Sequence, residues 1–330
     1  MKISPLKIIW NITNKCGYNC DICATNSDRD ELDLLGKQKA YASLKSIGNH
    51  NIREIDFSGG DPLCDRSSLA VIYEAIAEFG KKTISITTTG KGINDALRYG
   101  ENLSELLTNC EITMDAIGKS EASIRNDATY ELSNKNAIDI LEEYASNLTI
   151  NVPIIDPNVD KTSIQLLIKE IDKINVPQKT VNLIRLMQVG RMGSKRIFPL
   201  ASPNEFAKVF SECAVESSLD SVHIHCALRG KIMDSKCNML LEKIGIDCSG
   251  NVFACAWGGY ITGYSKDNIV DNPFYLGNLL DDSLYDILNG CRAKNMERRI
   301  ADNPTSHCRV YCYHSNDPYS IFTDRDPLFE

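Results

Sequence analysis

The first two-thirds of the chain alternate short β-rich runs with longer helical patterns. This alternation limits the fold more than any other feature. Strand signals fall at Leu6–Ile12, Glu54–Ser58, Thr83–Thr88, Glu111–Asp115, Leu148–Pro153 and Val181–Met187. Helical patterns lie between them, at Lys37–Ile47, Ser67–Phe79, Ile93–Thr108, Tyr130–Ala145 and Lys161–Ile174. Such repetition predicts parallel strand–helix–strand units, whose right-handed crossovers close into a barrel or a wound sheet. Six strands fall short of the eight in a full α/β barrel. After about Gly190 the character changes to a helix near Asn204–Ser217, the strand-like run SVHIHC, short β-like pieces and many turns. Gly193, Pro199 and Pro203 mark a boundary between about Met192 and Ser202.

Directly after the first strand signal stand Cys16, Cys20 and Cys23, spaced C-x3-C-x2-C in CGYNCDIC. Three thiolates this close can converge on one inorganic cluster. A four-iron cubane needs four ligands, so three cysteines leave one iron open to a small molecule. Zinc fits less well, because no fourth cysteine or histidine lies nearby; the nearest histidine is His50. A disulfide fits worse, because three is odd.

The formal net charge of −8 argues against a nucleic-acid partner held by broad electrostatics. No apolar run reaches membrane-span length, and MKISPLKIIWN lacks a secretion-signal pattern. Thirteen cysteines without an export signal point to a reducing compartment, hence to the cytoplasm and to metal ligation.

CGYNCDIC resembles the cluster-binding loop of the radical S-adenosylmethionine (SAM) superfamily. That resemblance implies a [4Fe–4S] cluster on Cys16, Cys20 and Cys23, with SAM chelated at the open iron. It implies reductive cleavage of SAM to a 5′-deoxyadenosyl radical, fed by a flavodoxin- or ferredoxin-type electron donor. It also implies an α/β fold, a partial (β/α)6 TIM barrel with the cluster at its C-terminal mouth.

Further stretches fit the resemblance. SGGDPL at Ser58–Leu63 is similar to the family's GGEP segment, with Asp61 in place of Glu. It implies that Gly59, Gly60 and Asp61 hold the amino group of SAM. Taken alone, the same residues make an ordinary strand-to-helix turn. TTTG at Thr87–Gly90 resembles a segment beside SAM at the barrel mouth. The hydroxyls of Thr88 and Thr89 suit a ribose or carboxylate, or equally the following turn. In TMDAIGKSEASIRN, Thr113, Asp115 and Arg125 match the family's serine, aspartate and carboxylate-binding arginine. RLMQVGRM resembles a later strand end that contacts adenosine or substrate, which assigns Gln188 and Arg191 to that role.

A second cysteine set follows. Twelve residues separate Cys237 from Gly250, and four separate Gly250 from Cys255. This resembles the opening of SPASM and twitch domains, small α+β units that carry auxiliary iron–sulfur clusters. IGIDCSGNVFAC reads as two short strands around an SGN turn, which brings Cys255 back towards Cys237. Asn278 is placed to cap the helix that follows LGNLLDD. With Cys308 and Cys312, the resemblance implies one auxiliary [4Fe–4S] cluster on Cys237, Cys255, Cys308 and Cys312. Cys248 or Cys291 is an alternative ligand, and structural zinc an alternative metal. The domains expected are a barrel over 1–200, a bridging helix and strand over 201–235, the cluster domain over 236–315 and a tail over 316–330.

Cys64, Cys110 and Cys213 read as small buried residues. Cys226, in HIHCALRG, is a candidate hydrogen-atom donor, cluster ligand or packing residue. The leading function is modification of a ribosomally made peptide by epimerisation or cross-linking. No additional N-terminal domain for a leader peptide is evident before Leu6. The alternatives are dehydrogenation, dehydration or epimerisation of a sugar or cyclitol, and a non-catalytic electron carrier. The carrier does not account for GGDP, TTTG and Arg125 together.

Overall fold

The computed structural model describes residues 6–25, 31–114, 125, 127, 129–154, 161–194, 221–226, 236–313 and 316–325. Among these residues ten strands form one sheet, in the order β10-β9-β8-β1-β2-β3-β4-β5-β6-β7. The first six are β1 (Leu6–Thr13), β2 (Ile52–Gly59), β3 (Ile84–Thr88), β4 (Asn109–Thr113), β5 (Asn147–Ile154) and β6 (Gln178–Arg185). They pair in parallel in sequence order and β7 (Ser221–Ile224) extends them, as the strand–helix alternation requires.

Among the described residues the helices in this part are α1 (Leu34–Leu44), α2 (Arg66–Phe79), α3 (Gly90–Tyr99), α4 (Leu103–Leu106), α5 (Tyr130–Tyr144) and α6 (Lys161–Asp172). The helix expected over Ile93–Thr108 is two helices. Gly100, at φ +75°, ends α3 in the left-handed conformation and the chain restarts at Leu103. Thr89 caps α3, so that helix begins three residues earlier than the apolar pattern suggested. The helix expected at Asn204–Ser217 and the residues Asp115 and Cys213 lie outside the described residues.

Strand alternation divides the barrel into two faces. On β1, Leu6, Ile8, Trp10 and Ile12 are buried in the main apolar core. The opposite residues, Lys7, Ile9 and Asn11, line an internal cavity. Truncating a core position such as Ile8 to Ala costs about 2–5 kcal/mol. The inward face departs from a packed eight-stranded barrel, whose centre is filled by branched apolar side chains. Here it carries Lys7, Glu54, Asp56, Glu111, Asn151 and Asn182 around a cavity of about 810 Å³.

The C-terminal part continues the same sheet. β8 (Lys243–Ile246) pairs in parallel with β1, Lys7 beside Lys243. The expected hairpin is present, β8 and β9 (Asn251–Phe253) being antiparallel around Gly250 at φ +80°. β10 (Tyr275–Asn278) completes the sheet and leads into α7 (Leu284–Asn289). The cap of α7 is Ser283, which accepts from Asp286 N. Asn278 instead accepts from Leu280 N in the turn before it. Two helices follow, α8 (Cys291–Asp302) and α9 (Arg309–Cys312). The described part of the tail is tied down, because buried Arg309 donates to the Ile321 carbonyl at 2.9 Å. No helix among the described residues is long and apolar enough to cross a membrane.

Candidate functional site: two cysteine clusters on one cavity

The loop after β1 carries Cys16, Cys20 and Cys23 and is held on two sides. On one side the β2 turn runs against it. Gly60 N donates to Thr13 O at 2.7 Å, and Asp61 N donates to Lys15 O at 2.6 Å. This approach needs glycine. A Cβ on Gly59, itself at φ +131°, would stand 2.3 Å from Thr13 O, and one on Gly60 would stand 2.3 Å from Lys15 O. On the other side Arg191 N donates to Cys23 O at 2.9 Å, and the Arg191 guanidinium donates to Cys20 O at 2.5 Å.

A buried ionic network, not foreseen from sequence, supports the loop from beneath. Glu31 accepts from Thr13 Oγ1, Asn14 N and Lys37 Nζ at 2.9, 2.8 and 2.6 Å. Lys37, fully buried on α1, also donates to Asp65 at 2.7 Å, and Lys15 reaches Asp65 at 2.6 Å. Burial pushes the Asp65 carboxyl up, but the bonds from Lys15 and Lys37 outweigh it and hold it well below the usual carboxylate range. No residue pattern marks this network, because a lysine at one helical position reads as exposed.

The thiols share one environment. Cys16 is pushed up to about 12 by burial first, then by Asp61, Cys20 and Cys23. The Arg125 guanidinium lies 3.8 Å from Cys20 Sγ and 4.7 Å from the centre of the Tyr130 ring. Three soft thiols, with a cation beside one of them, are a donor set that fits an iron–sulfur cluster.

The side chains assigned to the SAM site have the following partners. The Asp61 carboxylate is fully buried and accepts from Leu63 N, Thr88 Oγ1, Thr89 N and Thr89 Oγ1 at 2.7–3.1 Å. A Cβ on Gly92 would stand 2.3 Å from it, so the space has no room for the extra methylene of Glu. Asp61, Thr88 and Thr89 therefore fasten the β2 and β3 turns to the start of α3. Arg191 grips the cysteine loop, and Gln188 is exposed. Thr113 ends β4, where its carbonyl accepts from Asn134 Nδ2 at 3.1 Å.

The second cysteine group opens on the same cavity. Cys23, Cys226, Cys237, Cys255 and Cys308 all line it, and Cys312 does not. Cys312 is fully buried at the end of α9, Cys248 is buried beside the β8–β9 turn, and Cys291 is exposed. Burial pushes Cys255 up to about 11 and raises Cys237 and Cys308, and each of the three is raised further by neighbouring thiols, Cys226 among them. Cys226 goes the other way. Burial raises it, but His225 and Lys243 outweigh burial and bring it down to about 5. Lys243 Nζ lies 3.2 Å from Cys226 Sγ. An ammonium at that distance favours the thiolate, the form that ligates a metal. The buried Arg309 guanidinium stands beside Cys237, to which its side chain hydrogen-bonds. Soft thiols lining one cavity, with a guanidinium beside Cys237, are a donor set that fits an iron–sulfur cluster.

Comparison with known proteins agrees with this geometry. The SPASM family, an iron–sulfur cluster-binding domain, matches residues 237–313, and a 4Fe-4S single cluster domain family matches residues 8–138. Pre-heme d1 synthase of Dinoroseobacter shibae is 27% identical over 120 residues, 36% of this chain and 29% of that protein. The probable GTP 3′,8-cyclase of Sulfurisphaera tokodaii is 28% identical over 79 residues, 24% of this chain and 25% of that protein. The chain thus matches well under a third of the length of either curated relative. The fold is similar to Streptococcus suis SuiB bound to precursor peptide SuiA, with TM-score 0.66 and 13% identity over 90% of this chain and 67% of that one. It is also similar to anSMEcpe with bound AdoMet and Cp18Cys peptide, with TM-score 0.57 and 16% identity over 96% of this chain and 87% of that one.

The fold and the two cysteine groups define an α/β iron–sulfur protein with a partial barrel and a cysteine-rich C-terminal unit. Both matched families are iron–sulfur families, one over the Cys16 loop and one over the C-terminal cysteines. Residues 237–313 thus match the SPASM family and residues 8–138 a 4Fe-4S single cluster domain family, in line with the radical SAM resemblance of the sequence.

Proposed function

We propose that the protein is a radical SAM enzyme that modifies a ribosomally made peptide inside its barrel. The observation that carries this reading is the single cavity joining the Cys23 loop to the auxiliary thiols across a polar lumen. An electron carrier has no use for such a lumen. Its volume lies near the top of the range of ligand sites, roughly 300–1,000 Å³, and admits a side chain with its flanking backbone. The two solved relatives above, of similar fold, were each captured with a peptide.

Cys16, Cys20 and Cys23 hold the first cluster. The backbone of Gly59–Asp61 holds the SAM amino group, and Arg125 its carboxylate. When bound and reduced, this pair of cofactors would supply the radical chemistry for hydrogen-atom abstraction from a substrate C–H bond. The chain's own part is to orient the substrate, through Asn151, Asn182 and the Glu54, Asp56 and Glu111 carboxylates around Lys7, and to exclude water. Cys226, Cys237, Cys255 and Cys308 hold a single auxiliary cubane, with Cys226 in the place first given to Cys312.

Anaerobically reconstituted protein should carry about eight iron atoms per chain, as two cubanes require. It should convert SAM to 5′-deoxyadenosine. A Cys16/Cys20/Cys23→Ala variant should lose that activity and keep the auxiliary iron; equal turnover would sink the assignment. Cys226→Ala should lose auxiliary iron and Cys312→Ala should keep it. The reverse result restores Cys312 as the ligand. Product analysis with a candidate precursor peptide, and with sugar or cyclitol substrates, separates the two substrate classes.

A further inference from the structure

Two lysines stand side by side at the edge of the barrel and are held in opposite ways. Lys7 on β1 and Lys243 on β8 are register partners, and both face the cavity. Lys7 is ringed by carboxylates, with Glu54, Glu111 and Asp56 at 2.9, 3.4 and 3.9 Å. Lys243 has no carboxylate within ion-pair distance among the described residues. Its hydrogen-bond partner is sulfur, Cys226 Sγ at 3.2 Å. The strand fixes this aim. Ile244 and Ile246, on the other face of β8, are fully or almost fully buried in the core, so residue 243 must point inward. His225 completes the setting. Its Nε2 lies 3.7 Å from Cys226 Sγ and accepts from Trp257 Nε1 at 3.2 Å, which fixes the ring beside the thiol.

Reducing an iron–sulfur cluster adds negative charge that its surroundings must stabilise. A hydrogen bond to a ligand sulfur, or a nearby cation, favours the reduced state and raises the potential. An ammonium neutralised by carboxylates, as at Lys7, contributes little net field. An ammonium whose partner is the ligand itself contributes its full charge.

We propose that Lys243 is a positioning residue that sets the reduction potential of the auxiliary cluster, through its bond to Cys226 and its uncompensated charge beside the thiols. The proposal rests on the reading of Cys226 as a ligand. The strand pairing makes it also a coupling device, because the residue that biases the cluster sits on the strand bonded to β1, whose far end starts the Cys16 loop.

The test is a potentiometric titration followed by electron paramagnetic resonance. It uses full-length protein carrying Cys16/Cys20/Cys23→Ala, so that only auxiliary iron reports. Lys243→Met should lower the midpoint potential enough to cut the reduced-to-oxidised ratio about tenfold at a fixed potential. For one electron that is about 59 mV. Lys243→Arg keeps the charge and should stay near the parent value. Lys243→Gln keeps an N–H donor without charge and should fall between. An iron-loaded Lys243→Met with the parent midpoint and spectrum overturns the proposal. If Lys243→Met fails to hold iron, Lys243→Gln decides by the same two outcomes. The ligand reading fails separately, if Cys226→Ala retains full auxiliary iron.

Discussion

The Arg185 guanidinium lies 3.2 Å over the centre of the Tyr311 ring, and the Tyr311 hydroxyl donates to the Leu186 carbonyl. Arg185 ends β6 at the barrel mouth, and Tyr311 sits on α9 between Cys308 and Cys312. Both are buried, at 2% and 8% exposure, so the contact is desolvated and worth about 2 kcal/mol. It fastens the helix bearing the last cysteines to the barrel. Arg185→Leu should lower the melting temperature and speed the release of auxiliary iron to a chelator, with the Cys16-loop iron unaffected. Selective loss of the Cys16-loop iron instead would contradict this coupling.

Gly60→Ala should unseat the cysteine loop. The added methyl meets the Lys15 and Asn14 carbonyl oxygens at 2.3 and 2.6 Å, and these are backbone atoms that cannot swing aside. The variant should retain auxiliary iron, lose the other cluster and make 5′-deoxyadenosine at least about 100-fold more slowly, as expected when a reacting group is displaced by an ångström. Iron analysis with a single-turnover assay measures both effects.

Asp61 gives a pH signature. Burial pushes its carboxyl up to about 6, against four hydrogen bonds that pull it down. A carboxyl with a raised folded-state value binds its proton more tightly in the folded chain. Its stabilising contribution is fully present below about pH 4 and is lost as the pH rises through 6. The size is on the order of 3 kcal/mol, two units at 1.36 kcal/mol each. Asp61→Asn should therefore flatten the decline in melting temperature between pH 5 and 7. It should also lower stability at every pH, because an amide cannot accept from all four donors. Asp61→Glu should destabilise by about 1–3 kcal/mol through overpacking against Gly92. Differential scanning calorimetry across that pH range measures both variants.

Arg191→Ala tests whether this residue holds the loop or the ligand. A charge-assisted bond to the Cys20 carbonyl is worth about 1.5–3 kcal/mol. Its loss should accelerate iron release from the Cys16 loop about tenfold or more, and leave the KM for SAM within twofold. A large rise in KM with stable iron would return Arg191 to the SAM site.

What the chain spells out locally, the sequence determined. The C-x3-C-x2-C spacing, the parallel strand–helix units, and the turn at Ser249–Asn251 that makes the β8–β9 hairpin all depend on residues a few positions apart. Their periodicity and turn chemistry survive in any tertiary setting. Even there, the break at Gly100 was invisible to an apolar pattern that continues through it. Tertiary structure decided the roles of single side chains. It turned the Asp61 carboxylate inward onto Thr88 and Thr89, buried Lys37 beneath the cysteine loop and made Arg191 a clamp. It also drew Cys226 into the cavity with Cys237, Cys255 and Cys308, and left Cys312 behind it. These outcomes follow from β8 pairing with β1 and from burial that leaves each polar group to find whatever partner distant segments bring to it. A linear sequence gives the groups that need partners, and only the folded chain sets which partners come within reach.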